Sequence, residues 1–213
     1  MPGEPATYLT LKRDVETREM LEVKRSKFLA VVRRVDTEDE AREMIADLRS
    51  EFRDARHHCT AFVLGARGEV TRSNDDGEPS GTAGAPMLEV LRGAELSDVC
   101  AVVVRWFGGT LLGAGGLVRA YSDAVTLALA SAPVVRREER MLSRVSLPHA
   151  EAGRVESELR SRGIEVLDAE YSADVSLLLA STSLEQVEVV VAEATSGTSA
   201  VEPAGTRWID RAQ

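Results

Sequence analysis

Two hydrophobic periods alternate along this chain, one of two residues and one of a helical turn. Residues 15–35 alternate loosely between apolar and charged positions, as half-buried strands do. Apolar residues then recur at helical spacing in 41–52, 82–92 and 117–132, which predicts three helices. The run Val99–Phe107 is the most apolar of the chain and predicts a central strand.

Residues between these segments set their limits. Thr37 and Glu40 have the spacing of a capping box, which predicts that the first helix begins there. Residues 60–64 read as a strand, and 67–81 are dense in Gly, Asp, Asn, Ser and Pro, which predicts a loop. Pro133 ends the third helix.

From about Met141 onward the pattern indicates a second unit. The predicted elements are an extended segment 134–147, a helix 149–162, strands 164–170 and 173–181, a helix 183–195 and an extended segment 199–209. This strand–helix–strand–strand–helix–strand order is typical of the ferredoxin-like, split βαβ fold. The charged run 136–140 indicates an exposed boundary, so the predicted domains are 1–138 and 139–213.

Composition narrows the class of protein. The 213 residues carry 26 basic and 35 acidic side chains, and the net charge of -9 argues against a general nucleic-acid coat while allowing a local basic patch. Without a signal-peptide pattern or a membrane-length apolar run, we expect a cytoplasmic protein with no membrane contact. Cys59 and Cys100, each in a predicted strand, are expected to be buried, reduced thiols.

Five glycines fall within residues 108–116, between the apolar strand and the third helix. Loop N–H groups and a helix N-terminus in this arrangement favour anions. The predicted anion-binding residues are Arg105, Gly108, Gly109, Gly113, Gly115, Gly116 and Arg119. An alternative is that the glycines let the loop pass tightly beneath a neighbouring strand, and both interpretations stay open. Neither a P-loop nor a dinucleotide fingerprint is present, so no cofactor is predicted.

An acidic turn, Asp75, Asp76 and Glu78, precedes this loop. Its carboxylates are suited to Mg²⁺, but they are equally suited to ion pairs with Arg105 or Arg119, which we favour. A zinc site needs three or four ligands at compatible spacing, which the sequence does not offer, so no metal site is predicted.

Four further polar residues lie near this region of the sequence: His57, His58, Ser80 and Thr82. One histidine is expected to face inward, and either one has the chemistry of a general base. No nucleophile elbow accompanies them, so no catalytic residue is assigned.

Basic residues also gather in the first strands, at Lys24, Arg25, Lys27, Arg33 and Arg34. They form either a patch suited to RNA or a solvated sheet face, and the second interpretation is favoured.

Three blocks of sequence then carry a resemblance: 55–61 (ARHHCTA), 73–84 (SNDDGEPSGTAG) and 105–121 (RWFGGTLLGAGGLVRAY). In this order they resemble the bacterial members of the YigZ/IMPACT family. The resemblance implies an α+β protein with an N-terminal domain of the ribosomal protein S-five domain-two type. It also implies a ferredoxin-like C-terminal domain that resembles the last domain of translocation factors.

The resemblance bears on function less directly, because a fold does not fix a function. Eukaryotic members act in translational control by binding a partner protein through an additional domain. We therefore expect a non-catalytic, translation-associated regulator that binds RNA, the ribosome or a protein partner. The alternative is a Mg²⁺-dependent enzyme acting on a phosphorylated small molecule or a nucleotide.

Overall fold

The computed structural model describes residues 6–212, which form ten strands and five helices. The strands are β1 (Thr7–Leu11), β2 (Glu16–Val23), β3 (Ser26–Arg34), β4 (His57–Leu64), β5 (Val70–Asn74), β6 (Val99–Trp106), β7 (Val134–Leu147), β8 (Glu165–Tyr171), β9 (Val175–Ser181) and β10 (Val201–Ala212). The helices are α1 (Glu38–Glu51), α2 (Gly84–Gly93), α3 (Ala114–Ser131), α4 (His149–Ser161) and α5 (Leu184–Thr195). Two sheets with these helices confirm the predicted α+β class. In this part of the chain no helix has both the length and the apolar character that crossing a bilayer requires.

Within the described residues the chain divides into two compact units, 8–136 with 211–212, and 137–210 with 6–7. Each unit has its own hydrophobic core. The domain limits 1–138 and 139–213 stay a prediction from the sequence.

In the N-terminal unit the strand order is β2-β3-β6-β4-β5, and all neighbouring strands are antiparallel. β6 lies at the centre of the sheet, and helices cover both of its faces. Phe28 and Val103 pack with residues of α2 and α3 on one face, whereas Val31 and Val102 pack with α1 on the other. Strand side chains alternate between faces, so an uninterrupted apolar run supplies two cores at once.

The start of α1 follows the predicted capping pattern with one change. The Thr37 hydroxyl accepts a hydrogen bond from the Glu40 N–H at 3.1 Å, as a capping box requires. The Glu40 carboxylate, however, accepts from the N–H of Asp36 at 2.8 Å rather than from Thr37. The reciprocal bond is therefore made one residue earlier than predicted.

Several predicted limits are wrong: β1 was not predicted, and β4 begins at His57 rather than at 60. Residues 70–74, inside the predicted loop 67–81, form the edge strand β5, whose polar sequence hides its period because its side chains are largely exposed. α3 begins at Ala114 rather than at 117, because Gly113, with a φ of 72°, turns the chain directly into the helix.

Antiparallel pairing brings three connections to one end of this sheet. The β2–β3 turn, the start of β4 and the end of β6 lie there, and the glycine-rich segment leads from β6 into α3. Arg105 stands in register with Phe28 on one neighbouring strand and with His57 on the other. Residues far apart in sequence therefore meet around Arg105.

The C-terminal unit has the predicted order of elements. β9 lies between β7 and β8 in antiparallel pairing, and β10 pairs with β7. α4 and α5 pack on one face of this sheet, where Val155, Leu159, Val187 and Val191 are buried. This arrangement is the split βαβ topology.

Candidate functional site

A cavity of about 380 Å³ opens at the end of the N-terminal sheet where β6 ends and β4 begins. Glu78 from the acidic turn lines it, and so do Gly113 and Ala114 from the start of α3. The two sequence features predicted separately therefore border one cavity.

Arg105 and Glu78 form the floor of this cavity. The Arg105 guanidinium, in a residue only 5% exposed, donates to Glu78 Oε1 at 2.5 Å. The Tyr121 hydroxyl donates to the same oxygen at 2.7 Å. The rings of Phe28 and Phe107 lie 5.3 Å and 5.9 Å from the guanidinium carbon, within the range of cation–π contact. The favoured ion-pair interpretation is confirmed for Glu78 with Arg105.

Two acceptor atoms at the floor have no donor among residues 6–212. Glu78 accepts both of its hydrogen bonds on Oε1, which leaves Oε2 without one. His57 Nδ1 lies 2.9 Å from the Asp76 carbonyl oxygen, so Nδ1 is the donor, and in the neutral imidazole Nε2 is an acceptor. The His57 Nε2 atom lies 3.9 Å from Glu78 Oε1, beyond hydrogen-bond distance.

Asp75 supports the turn and does not face the cavity floor. Its carboxylate accepts from the backbone N–H groups of Gly81, Ala83 and Gly84 at 2.8 to 3.0 Å, which ties the turn to the start of α2. Burial alone would raise the pKa of Asp75, but these three N–H donors hold it below its ordinary value.

Asp76 is similarly occupied. It accepts from the Arg49 guanidinium and from the backbone N–H of His58, each at 2.6 Å. Burial opposes the charged form, and these donors nevertheless keep the pKa of Asp76 below its ordinary value. The three carboxylates of the turn thus face three separate sets of partners. Within residues 6–212, no group of three or more His, Cys, Asp or Glu side chains has the arrangement of a metal site.

Comparison with known proteins places this chain in a family. The Impact N-terminal domain model matches residues 24–129, and a domain of unknown function, DUF1949, matches 145–199. The IMPACT family member YvyE of Bacillus subtilis is 37% identical over 211 residues, which is 97% of this chain and 95% of that protein. This chain belongs to the IMPACT family.

Two further similarities agree with this assignment. The IMPACT family member YigZ of Escherichia coli is 37% identical over 161 residues, covering 75% of this chain and 79% of that protein. A crystal structure described as a hypothetical protein superposes with a TM-score of 0.66 at 30% identity, covering 93% of this chain and 98% of that one.

The glycines of this IMPACT-family chain serve different purposes. A Cβ at Gly108 would overlap with the backbone of Arg25 and Ser26, so the loop passes tightly against the β2–β3 turn, as the structural interpretation predicts. Gly109 and Gly113 adopt φ values of 82° and 72°, which favour glycine. Gly115 and Gly116 instead lie in the first turn of α3, and a Cβ at Gly115 would meet no atom within 4 Å.

Other predicted site residues lie away from the cavity. Arg119 is exposed on α3 and does not line it. Ser80 is exposed, whereas Thr82 is buried and its hydroxyl donates to the Pro79 carbonyl oxygen at 2.6 Å. His58 is the inward-facing histidine, and burial, aided by Arg49, lowers its pKa.

The buried hydroxyl and thiol beside the floor are poor nucleophiles. Burial raises the pKa of Cys59 to about 12, and burial also raises the pKa of Tyr121. Cys59 Sγ lies 3.3 Å from the Tyr121 hydroxyl, which itself donates a hydrogen bond to Glu78. Cys59 and Cys100 are both buried free thiols, as predicted.

The sequence did not single out the apolar walls of the cavity. Phe107, Leu111, Leu112 and Leu117 line it, and Phe107 and Leu111 are 46% and 84% exposed. Their signal was a set of large apolar residues interspersed among the glycines, directly after a buried strand. In the sequence, such residues look the same as core residues, because only the folded loop shows which of them are exposed.

Cations without carboxylate partners lie at the same end of the sheet as the cavity, and one of them, Arg56, lines it. We call Lys24, Arg25, Lys27 and Arg56 the basic edge. In residues 6–212 none of the four makes an ion pair, although the Arg25 guanidinium donates to the Thr110 hydroxyl at 3.3 Å. The nearby Asp54 carboxylate accepts instead from the indole N–H of Trp106 at 2.8 Å.

The predicted basic patch is therefore divided. Arg33 and Arg34, at the far end of β3, pair with Glu16 and Asp36. Lys24, Arg25 and Lys27 keep unpaired charge at the end that holds the cavity.

Proposed function

We propose that this IMPACT-family chain is a non-catalytic module of the translation apparatus that binds single-stranded RNA along the basic edge. The observation that carries the proposal is the concentration of unpaired cations there. Many arginines elsewhere in the same unit are neutralised, as in the pairs Arg18–Glu51 and Arg42–Glu38. Arg67 and Arg119, which make no ion pair within the described chain, lie outside the cavity lining. The link to translation rests on the resemblance to eukaryotic proteins of translational control.

Unpaired cations favour a polyanion because phosphate binding releases condensed counterions. The overall charge of -9 restricts such binding to one local surface. If three phosphates are neutralised at the basic edge, the logarithm of the affinity falls with the logarithm of salt with a slope of roughly -2 for a single strand.

The start of α3 adds to this surface. Gly113 provides no side-chain cap, and the first turn contains no acidic residue. The unsatisfied N–H groups and the helix dipole therefore present partial positive charge beside the cavity. The exposed ring of Phe107 offers a base a surface on which to stack.

Filter binding of a short oligouridylate to the full chain tests the proposal. We expect binding that weakens between about 50 and about 200 mM salt, and an Arg56→Glu variant that binds more weakly with a slope smaller by about one. Arg67→Glu is the matched control, because Arg67 is an exposed arginine that follows β4 where Arg56 precedes it. Equal losses of RNA affinity in both variants, or no RNA binding by the wild-type chain at low salt, would overturn the proposal.

Sedimentation with ribosomes tests the link to translation separately. The wild-type chain should sediment with ribosomes at low salt, and Arg56→Glu should reduce the bound fraction more than Arg119→Glu, since Arg119 lies outside the cavity lining. Absence of the wild-type chain from the ribosomal pellet would remove this link while leaving RNA binding intact.

The Mg²⁺-dependent enzyme has less support. Its predicted ligands Asp75 and Asp76 are held by backbone N–H groups and by Arg49. Calorimetric titration of a nucleoside triphosphate with and without Mg²⁺ separates the two functions. Binding that requires Mg²⁺ and is abolished by Asp76→Asn would favour the enzyme.

A further inference from the structure

The cavity beside the basic edge has opposite polarity at its two ends. Its mouth carries Arg56 and the uncapped start of α3, which attract anions. Its floor presents Glu78 Oε2 and His57 Nε2, two acceptors without donors in the described chain. A ligand that fits both ends must carry hydrogen-bond donors at one end and negative charge at the other.

The floor acceptors are held in place before any ligand arrives. Arg105 and Tyr121 fix Glu78 through Oε1, and the Asp76 carbonyl oxygen fixes the His57 ring through Nδ1. Buried groups with fixed geometry discriminate strongly, because a ligand that leaves them unpaired pays their desolvation.

The walls between the two ends are apolar. Phe107, Leu112 and Leu117 line them, and about 380 Å³ is in the usual size range of small-molecule sites. A flat, apolar-faced ring with polar edges suits such walls better than an extended aliphatic chain. The cations at the mouth disfavour a lysine or arginine side chain as the occupant, since like charges repel.

We propose that this cavity binds the guanine base of a nucleotide, with its phosphate at the basic edge. Guanine presents two adjacent donors, the N1–H and the N2 amino group, to Glu78 Oε2 and His57 Nε2. Adenine, cytosine and uracil each place a ring or carbonyl acceptor beside their donor, and that acceptor would face the carboxylate. The nucleotide is part of an RNA strand if the proposed function holds, and is a free guanine nucleotide otherwise.

Calorimetric titration of the full chain with the monophosphates of guanosine, inosine and adenosine tests the base specificity. Inosine lacks only the N2 amino group, and we expect it to bind roughly tenfold more weakly than guanosine, since a hydrogen bond to a charged group is lost. Adenosine should bind more weakly still. Equal affinity for the three would overturn the proposal without any variant.

Two variants test which residues recognise the base. Glu78→Gln should remove the preference for guanosine over adenosine, with folding checked by thermal unfolding. Phe107→Ala, at a residue 46% exposed, should weaken all three ligands equally and keep the preference. A guanosine preference that survives unchanged in a folded Glu78→Gln protein would place the base elsewhere and overturn the proposal.

A second comparison separates this inference from RNA binding. An oligouridylate and the same strand with one central guanosine are compared by filter binding. Equal binding of both strands, with no binding of the monophosphate, overturns the guanine site and leaves the proposed function standing. A guanosine preference for the monophosphate without RNA binding supports the site and overturns the proposed function. Preference in both assays supports both, and no binding in either overturns both.

Discussion

The N-terminal unit has a cavity at each end of β3, and the larger one is the weaker candidate. At the far end, which we call the paired end, about 480 Å³ is lined mainly by charged side chains. There Arg34 lies 2.9 Å from Asp36, and Arg33 lies 3.8 Å from Glu16. At the basic edge the walls are apolar and the cations are unpaired. Charges already neutralised within the protein therefore leave little to attract a ligand, whatever the volume of the cavity.

The largest expected effect is the removal of the floor cation. Arg105→Met leaves the Glu78 carboxylate, whose side chain is 4% exposed, without its charged partner, and should cost roughly 3–5 kcal/mol of unfolding free energy. Arg34→Met at the paired end should cost less, because the Asp36 side chain is 27% exposed and water can solvate it. Urea denaturation of both variants measures the difference.

The same series contains its own control. The double variant Arg105→Met with Glu78→Leu should recover much of the lost stability, because an apolar pair replaces the buried ion pair. Equal losses of unfolding free energy for Arg105→Met and Arg34→Met would contradict the claim that the carboxylate left unpaired is more deeply buried at the cavity floor than at the paired end.

The next effect concerns the glycines beside the cavity. Gly108→Ala should lower the unfolding free energy by roughly 1–3 kcal/mol, since the added Cβ overlaps with the backbone of Arg25. Gly115→Ala should be neutral or stabilising by up to about 1 kcal/mol, because its Cβ enters open space within a helix. Thermal unfolding measures both variants, and a Gly108→Ala protein more stable than Gly115→Ala would contradict this explanation.

A smaller effect should change stability and affinity in opposite directions. Arg25 has a φ of 67°, which glycine adopts with less strain, so Arg25→Gly should raise the unfolding free energy by roughly 0.5–1 kcal/mol. The same change should weaken RNA binding because it removes a cation from the basic edge. Lys27→Gln removes a charge without relieving strain, and should weaken binding with no gain in stability. A gain in RNA affinity in Arg25→Gly would contradict the role given to this turn.

The smallest expected effect is a pH dependence from the acidic turn. The pKa of Asp75 is lowered in the folded state, so its contribution to stability is complete above its ordinary value near 3.8 and is lost as pH falls through the lower folded value. Wild type should therefore lose stability more steeply below about pH 4 than Asp75→Asn does. Chemical denaturation across this range gives the two curves, and parallel curves would exclude the contribution.

Local signals in the sequence predicted the elements well. The Thr37 cap, the apolar run of β6 and the element order of the C-terminal unit all follow from short-range chemistry. β5 was missed because an exposed edge strand has no apolar alternation to reveal it. Tertiary pairing is therefore needed to find such a strand.

The site was predicted only in part, for a similar reason. The Arg105–Glu78 pair was anticipated, but the partner of Asp76 proved to be Arg49, on a helix 27 residues earlier in sequence. Tyr121 and Phe107 join the floor and wall only through the packing of α3 and the glycine-rich segment. Which of three neighbouring carboxylates faces a cavity depends on contacts that their spacing does not encode.

Trp106, whose indole N–H is bonded to Asp54, gives the basic edge its own optical probe. It packs edge-on against Phe52 at 5.6 Å, one residue from Phe107 and in register with Lys27. The chain contains two tryptophans, so replacing Trp208 with phenylalanine leaves a single emitter at this position. Quenching or a spectral shift of its emission would then report occupancy of this end of the sheet in real time, without a label on either molecule.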